Sequence, residues 1–304
     1  MKAKRKWKWK RYLSLYMLFI PGLIYLIINN YAPIYGLLLA FQKVNFRKGI
    51  LGGEWVWLDN FRFLFQGDAW LITRNTVLYN IAFLILGPII GISLAILLNN
   101  LKSKKAAGAY QTIILIPFLM SMVVISYLAY AFLSPQSGLI NGILIRLGFE
   151  RISWYAEAKY WPFIIIIIRM WNIMGFHSTI YLSSIVGISP TLFEAARLDG
   201  ASKIQEIKYI LLPMLKPTII TMTIIGIGSI MRSDFGLFYQ VTRDSGALYS
   251  TTQTIDTYVF RGLMSLGNPG MAAAAGFYQS IVGFVLVVLG NKLIKKLSKE
   301  NALF

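Results

Sequence analysis

The chain has 304 residues, of which 57% are hydrophobic and only 14% charged, and its mean hydropathy is +0.61. An ordinary soluble domain carries about 25% charged residues, so these values exclude a soluble globular enzyme, and they exclude a disordered chain, which needs low hydrophobicity. The net charge of +18 would suit nucleic-acid binding in a soluble chain but marks the cytoplasmic side of a membrane chain, so the placement of the basic residues decides between the two.

The sequence opens on the basic cluster KAKRKWKWKR. Trp interleaved with Lys suits a segment lying on anionic lipid, or simply an anchor of topology. Six apolar stretches follow, each close to the roughly 20 residues that cross the hydrocarbon layer: about 12–30, 71–98, 107–133, 161–186, 215–231 and 271–294. The first is longer than the apolar run of a cleavable signal peptide and no A-x-A site follows it, so it reads as a retained signal anchor. Sorted by connecting segment or stretch end, 18 of the basic residues share the side of the N-terminal cluster and 11 fall on the other, while Arg169 alone stands deep inside a stretch. This excess predicts both termini in the cytoplasm. Residues 1–70 then form a basic head, a first transmembrane helix and an extracytoplasmic loop, and residues 71–304 a five-helix core with a cytoplasmic loop at about 187–213.

The 12 acidic residues fall in loops or at span ends. A proton-driven carrier usually needs a titratable group at mid-membrane, so this distribution counts against one. The chain has no cysteine and a single histidine, His177, which leaves no disulfide, no thiolate chemistry and no His-rich metal site. No catalytic residue and no metal ligand is assigned.

The loop between the fourth and fifth stretches reads ISPTLFEAARLDGASKIQEIKYILLPMLKP. Ser189 can cap a helix whose first residue is Pro190, where a missing N–H costs nothing. Thr191 and Glu194 stand at capping-box spacing. Asp199-Gly200 gives a stop, because Gly accepts the left-handed conformation. Ser202 and Gln205 repeat the capping box and start a second helix. That helix is expected to present Ile204, Ile207 and Leu211 on one face and to end near Pro213.

Glu194-Ala195-Ala196, three residues, Gly200, nine residues, Ile210, one residue, then Leu212-Pro213 resembles the EAA loop of ABC importer permeases, complete at every position. The resemblance implies a coupling helix that docks into a cleft of an ATPase subunit. Glu194, Ala195, Ala196, Asp199, Gly200, Ala201, Ile210, Leu212 and Pro213 would be its coupling residues. Their chemistry fits: the small alanines allow close approach, Glu194 accepts donors and Gly200 makes the turn. The stretches GLLLAFQKVNF and WVWLDNFRFLF resemble the first extracytoplasmic loop of maltose-type carbohydrate permeases. TIDTYVFRGLMSL and the following AAAAGFYQSIVGFVLVVLGNKLIKK resemble the LplB-like branch, whose members import oligosaccharides from complex polysaccharides such as alginate and rhamnogalacturonan.

The resemblance therefore implies an all-α membrane protein with the type I ABC importer permease fold, six transmembrane helices, and alternating access as its mechanism. It implies as partners a second homologous permease subunit, an ABC ATPase dimer that binds ATP and Mg, and an extracytoplasmic solute-binding protein, assembled in a bacterial cytoplasmic membrane. The chain itself would bind lipid but no cofactor and no nucleic acid. It contains no Walker A pattern, so ATP hydrolysis is expected on a separate subunit.

Sugars are held by aromatic faces and fixed hydrogen-bond groups. In the fourth stretch Arg169, Asn172 and Phe176 lie at helical spacing, with Trp171 close by and His177 adjacent. In the family, cavity residues come from this span and from the span after the EAA loop. Counting from Glu194 places Gly226, Ile230 and Ser233 on the corresponding face, with Arg232 and Asp234 near its outer end. The third stretch adds Ser126, Tyr127 and Tyr130. Ile230 is apolar, a departure from the family's polar positions. Asn172 is the leading pathway candidate, His177 reads as a packing residue, and Arg169 with Arg232 would suit an anionic oligosaccharide. The competing classes are an ion-gradient-driven secondary carrier and a membrane-embedded glycosyl or acyl transferase, which would need a catalytic carboxylate or His near an interface.

Overall fold

The computed structural model describes residues 9–45, 47–49 and 52–297. The basic cluster up to Lys8, and with it the expectation of a lipid-lying head, falls outside them, as do residues 298–304. The first span, α1 (Trp9–Leu26), runs on through a π-helical turn and a 3-10 stretch to Phe41, and its apolar side chains from Leu13 to Ile28 are exposed. A short antiparallel hairpin, β1 (Gln42–Lys43) and β2 (Glu54–Trp55), follows. The rest is helical: α2 (Asp68–Asn99), α3 (Lys104–Leu119), α4 (Met122–Leu133), α5 (Leu139–Arg146), α6 (Trp161–Val186), α7 (Pro190–Leu198), α8 (Lys203–Glu206), α9 (Leu212–Gly228), α10 (Tyr249–Thr252), α11 (Ile255–Met264) and α12 (Pro269–Leu297).

Among the described residues five helical stretches are long and apolar enough to cross a membrane, and a sixth crossing results when α3 and α4 are taken as one broken span. The stretch expected at 107–133 is thus not one straight helix but two, bent by 98°. Pro117 sits in the last turn of α3 and Met120 is extended. Ser121 then caps α4 by accepting from the Val124 N–H at 3.4 Å. The broken turn is held from outside: the Asn172 amide donates to the Pro117 carbonyl at 2.8 Å.

The fifth stretch also differs from expectation. Pro213 does not end the loop's second helix, which continues from Lys203 to Gly228. A π-helical turn at Ile207–Leu211 widens the helix before the proline, with the Leu212 N–H bonded to the Ile207 carbonyl. The extra residue per turn absorbs the ring and missing donor that would break a regular helix. It also shifts the register, so Leu211 is buried while Ile204 is 77% exposed; the three apolar residues do not share one face.

Helices α2 and α6 form the central pair. They cross where Gly87 and Gly91 face His177, and a Cβ on Gly91 would stand 2.6 Å from the His177 Cβ, so small residues are what permit the approach. Gly175 on the same helix leaves room for the Ile114 backbone of α3. Three buried clusters surround this pair: Phe61, Phe63, Ile72, Tyr258 and Ala274 in one, Tyr79, Ile125, Trp161 and Phe238 in the second, and Ala95, Tyr181, Ile185, Leu211 and Leu215 in the third.

Candidate coupling loop and transport pathway

The helix that carries Glu194, Ala195 and Ala196 is α7. Pro190 occupies its first turn, but the Ser189 hydroxyl bonds to Thr191 at 2.8 Å instead of capping the backbone, and it makes no side-chain cap. The other end is built as the sequence indicates. Gly200 has φ +83°. The Ala201 N–H reaches back to the Ala196 carbonyl at 2.9 Å and the Gly200 N–H to the Arg197 carbonyl at 3.0 Å. These are the two bonds of a Schellman stop, in which the left-handed residue is almost always Gly. The spacing from Ala196 to Gly200 is therefore the length of one helix terminus, and Ala201 meets Ala196 across it.

The chain restarts at once. Ser202 accepts from the Gln205 N–H and Gln205 returns a bond to the Ser202 N–H at 2.7 Å, a complete capping box. The two helices are then latched. Arg197 makes a bidentate pair with Glu206, at 2.8 and 3.2 Å, and Lys203 adds a contact at 3.2 Å. Glu206 is buried, and its carboxylate raises the Arg197 pKa above the ordinary guanidinium value. Behind α7 lies a cavity of about 390 Å³ bounded by the ends of α2 and α6 and by α8. On the outer side Leu192, Leu198, Ile204 and Tyr209 are exposed, Leu198 to 89%. Glu194, Ala195, Asp199, Gly200, Leu212 and Pro213 share this exposure, while Ala196, Ala201 and Ile210 are half-buried. The latched unit thus exposes several apolar residues, and Glu194 stands exposed at the rim of the cavity behind α7.

The pathway candidates are dispersed further than expected. Arg169 pairs with Asp234 at 2.7 Å, and Asn172, which it touches at 3.5 Å, is buried. Asn172 is thus committed to the break between α3 and α4. Trp171 faces elsewhere, in an apolar groove of about 420 Å³ with Ile125, Phe132 and Ile167. Tyr130 lies under the Arg243 guanidinium, 4.3 Å from its ring centroid, and beside Tyr155. Phe176 stacks on Phe118. Gly226 faces Leu84 of α2.

Helix α9 stops at Gly228, so Gly226, Ile230 and Ser233 do not share a helical face; this corrects the count from Glu194. Past Gly228 the chain makes tight turns, the Arg232 N–H bonding to the Ser229 carbonyl at 2.8 Å. Irregular backbone at membrane depth requires other partners for its polar groups, and neighbouring helices supply them. From α2, Asn80 donates to the Ile230 and Arg232 carbonyls, both at 3.0 Å, and the Thr76 hydroxyl accepts from the Ile255 N–H. From α12, Gln279 donates to the Met231 carbonyl at 2.6 Å. Asp256 accepts from both the backbone and the hydroxyl of Ser233, at 2.6 and 2.7 Å, and from Gln279 at 3.2 Å. Asn80, Asp256, Gln279, Glu206 and the pairing of Asp234 were not singled out from the sequence. The available signal was a polar side chain within an apolar run.

A family model described as "Binding-protein-dependent transport system inner membrane component" matches residues 87–299. The chain is 33% identical over 289 residues to the polygalacturonan/rhamnogalacturonan transport system permease protein YteP of Bacillus subtilis, covering 94% of this chain and 89% of the relative. It is 30% identical to protein LplB of the same organism, covering 99% and 93%. Among solved structures it resembles a chain of a bacterial alginate ABC transporter in complex with an alginate pentasaccharide-bound periplasmic protein. There the TM-score is 0.85 at 32% identity, over 97% of this chain and 99% of the other.

Proposed function

The chain belongs to the family of binding-protein-dependent transport system inner membrane components, and from that premise we propose that it moves oligosaccharides released from complex polysaccharides. As a member it is an ABC importer permease subunit, a multi-pass membrane protein and not an enzyme. The substrate reading is supported by relatives whose names specify polygalacturonan, rhamnogalacturonan and alginate.

The assembly comprises this chain, a second homologous permease, an ATPase dimer that binds ATP and Mg, and an extracytoplasmic solute-binding protein, in a bacterial cytoplasmic membrane. Both termini face the cytoplasm. The binding protein delivers sugar on the outer side, and closure of the ATPase dimer moves α7. The Arg197–Glu206 pair passes that movement to α8 and α9, which continue as one span. The pathway then switches between outward- and inward-open states, a two-state equilibrium biased from both ends by different ligands. Gly226 of α9 and, in the irregular segment after it, Ile230, Arg232 and Ser233 border the pathway, and Arg169 and Asn172 brace the neighbouring helix.

The observation that carries this reading is the stopped, restarted and latched α7–α8 unit, on which Glu194 is exposed. Glu194→Lys tests it. In proteoliposomes holding the complete importer, the variant is expected to insert and assemble but to lose oligosaccharide uptake and substrate-stimulated ATPase activity. Wild-type uptake by this variant would refute docking through this loop.

A further inference from the structure

Two helices fix the depth of Arg232. Its carbonyl is bound by Asn80, 12 residues inside α2, and the preceding carbonyl by Gln279, 10 residues inside α12. At 1.5 Å per residue these lie about 18 and 15 Å from the outer ends of their helices; as α2, with 32 residues, is longer than the ~30 Å hydrocarbon layer, this sets Arg232 in the outer half of the span, below its rim. Yet Arg232 is exposed on the surface of the chain. Among the described residues it enters no ion pair. The carboxylates of the surrounding network are engaged, Asp234 by Arg169 and Asp256 by Ser233 and Gln279. A guanidinium at this depth cannot face lipid without a heavy cost, so it faces water or a charged partner.

The space beside it has a specific chemistry. A cavity of about 310 Å³ opens at Arg232, bounded by Gly228, Gln279, Ser280, Gly283 and Phe284. Met231 and Val287 complete its lining, with Met231 against Gly283. Ser280 and Phe284 are exposed, so a hydroxyl and an aromatic face stand with the guanidinium around one groove. Arg169 is different: it is already neutralised by Asp234 and braces the fold.

We propose that Arg232 is a specificity-determining residue, which pairs with the carboxylate of a uronate unit as the saccharide passes the groove beside Ser280 and Phe284. A planar guanidinium suits a carboxylate bidentately, and sugar rings suit an aromatic face with few fixed polar groups. The proposal rests on the oligosaccharide reading and adds the charge of the cargo.

The test uses the complete importer in proteoliposomes, with tetragalacturonate and its fully methyl-esterified counterpart, each at a concentration that saturates the binding protein. Arg232→Gln is expected to lower uptake of tetragalacturonate about tenfold, the loss of one charge-assisted hydrogen-bonded contact. Uptake of the neutral ester should stay within about twofold of wild type, because no charge-assisted contact is at stake there. Equal losses on both saccharides would overturn the proposal in favour of a pairing with the partner permease, and so would the absence of any loss. Assembly is checked by co-purification and by basal ATPase activity. If the assembled wild type carries the neutral ester but not tetragalacturonate, the proposal fails and the oligosaccharide reading stands; if it carries neither of these nor an alginate tetrasaccharide, the oligosaccharide reading fails and the proposal with it.

Discussion

The coupling loop and the end of α9 both interrupt a helix, and they do so by opposite means. At Gly200 the interruption is closed by the chain itself: the stop, the turn and the restart use bonds between residues at most five apart. Past Gly228 the freed carbonyls are bound by Asn80 and Gln279, which lie roughly 150 residues upstream and 50 downstream in sequence. In water a local motif suffices, because solvent satisfies whatever it leaves over. Within a span solvent does not reach every such group, so the neighbouring helices carry the missing partners. The first region can be rigid on its own and move as a unit; the second is only as stable as the packing of α2, α9 and α12 around it.

The largest effect is expected where the local motif has no alternative. Proline is fixed near φ −65°, whereas Gly200 stands at φ +83°. Gly200→Pro should therefore unmake the stop and reduce uptake to below about 1% of wild type, with membrane insertion intact. Transport by this variant at the wild-type rate would show that the α7–α8 unit need not be rigid.

On the other side, the ion pair is the element most exposed to a single change. Asp234→Asn leaves Arg169 charged and mostly enclosed, at 25% side-chain exposure. Removing one partner of a fully buried pair costs about 3–5 kcal/mol; at this quarter-exposed pair the loss should lie at the low end, about 3 kcal/mol, measurable as a lower unfolding temperature of the purified chain. An Arg169→Met, Asp234→Leu double variant should recover most of it, because the cost lies in the unpaired charge. If Asp234→Asn is as stable as wild type, the pair braces nothing.

This contrast also explains what could be read from sequence. Glu194 to Gly200 and Ser202 to Gln205 were legible because their partners lie a few residues away, and the spacing is the geometry. The apolar stretches were legible because bilayer thickness sets their length. The bend after Pro117 was not, since what holds it is Asn172, 55 residues further on. Nor was the end of α9, where Ser233 answers to Asp256 instead of to Gly226 and Ile230. The continuation through Pro213 was missed for a different reason: a π-helical turn removes the clash that proline normally causes, and it has no composition signal of its own.

A smaller effect is expected at Asn80, whose amide serves two carbonyls of the irregular segment. Asn80→Leu keeps the volume but strands both acceptors. A buried acceptor left without a donor costs about 1–3 kcal/mol, so hydrogen exchange at residues 229–234 should quicken while that at residues 190–206 stays as in wild type. Equal change in both segments would mean that the two regions are not independent.

The smallest effect is also the sharpest test of the local character of the coupling loop. Ser202→Ala removes the hydroxyl that accepts the Gln205 N–H but leaves every long-range bond of the molecule in place. Loss of a helix cap costs about 1 kcal/mol. If α8 depends on local bonds, that cost appears as faster exchange of the first amides of α8 and a modest, roughly twofold, fall in uptake. The Arg197–Glu206 latch acts on the same helix from the side of α7, so Ser202→Ala and Arg197→Gln together should lose more than the sum of the two. Simple additivity would mean that cap and latch hold separate parts, and α7 would then move without carrying α9 with it.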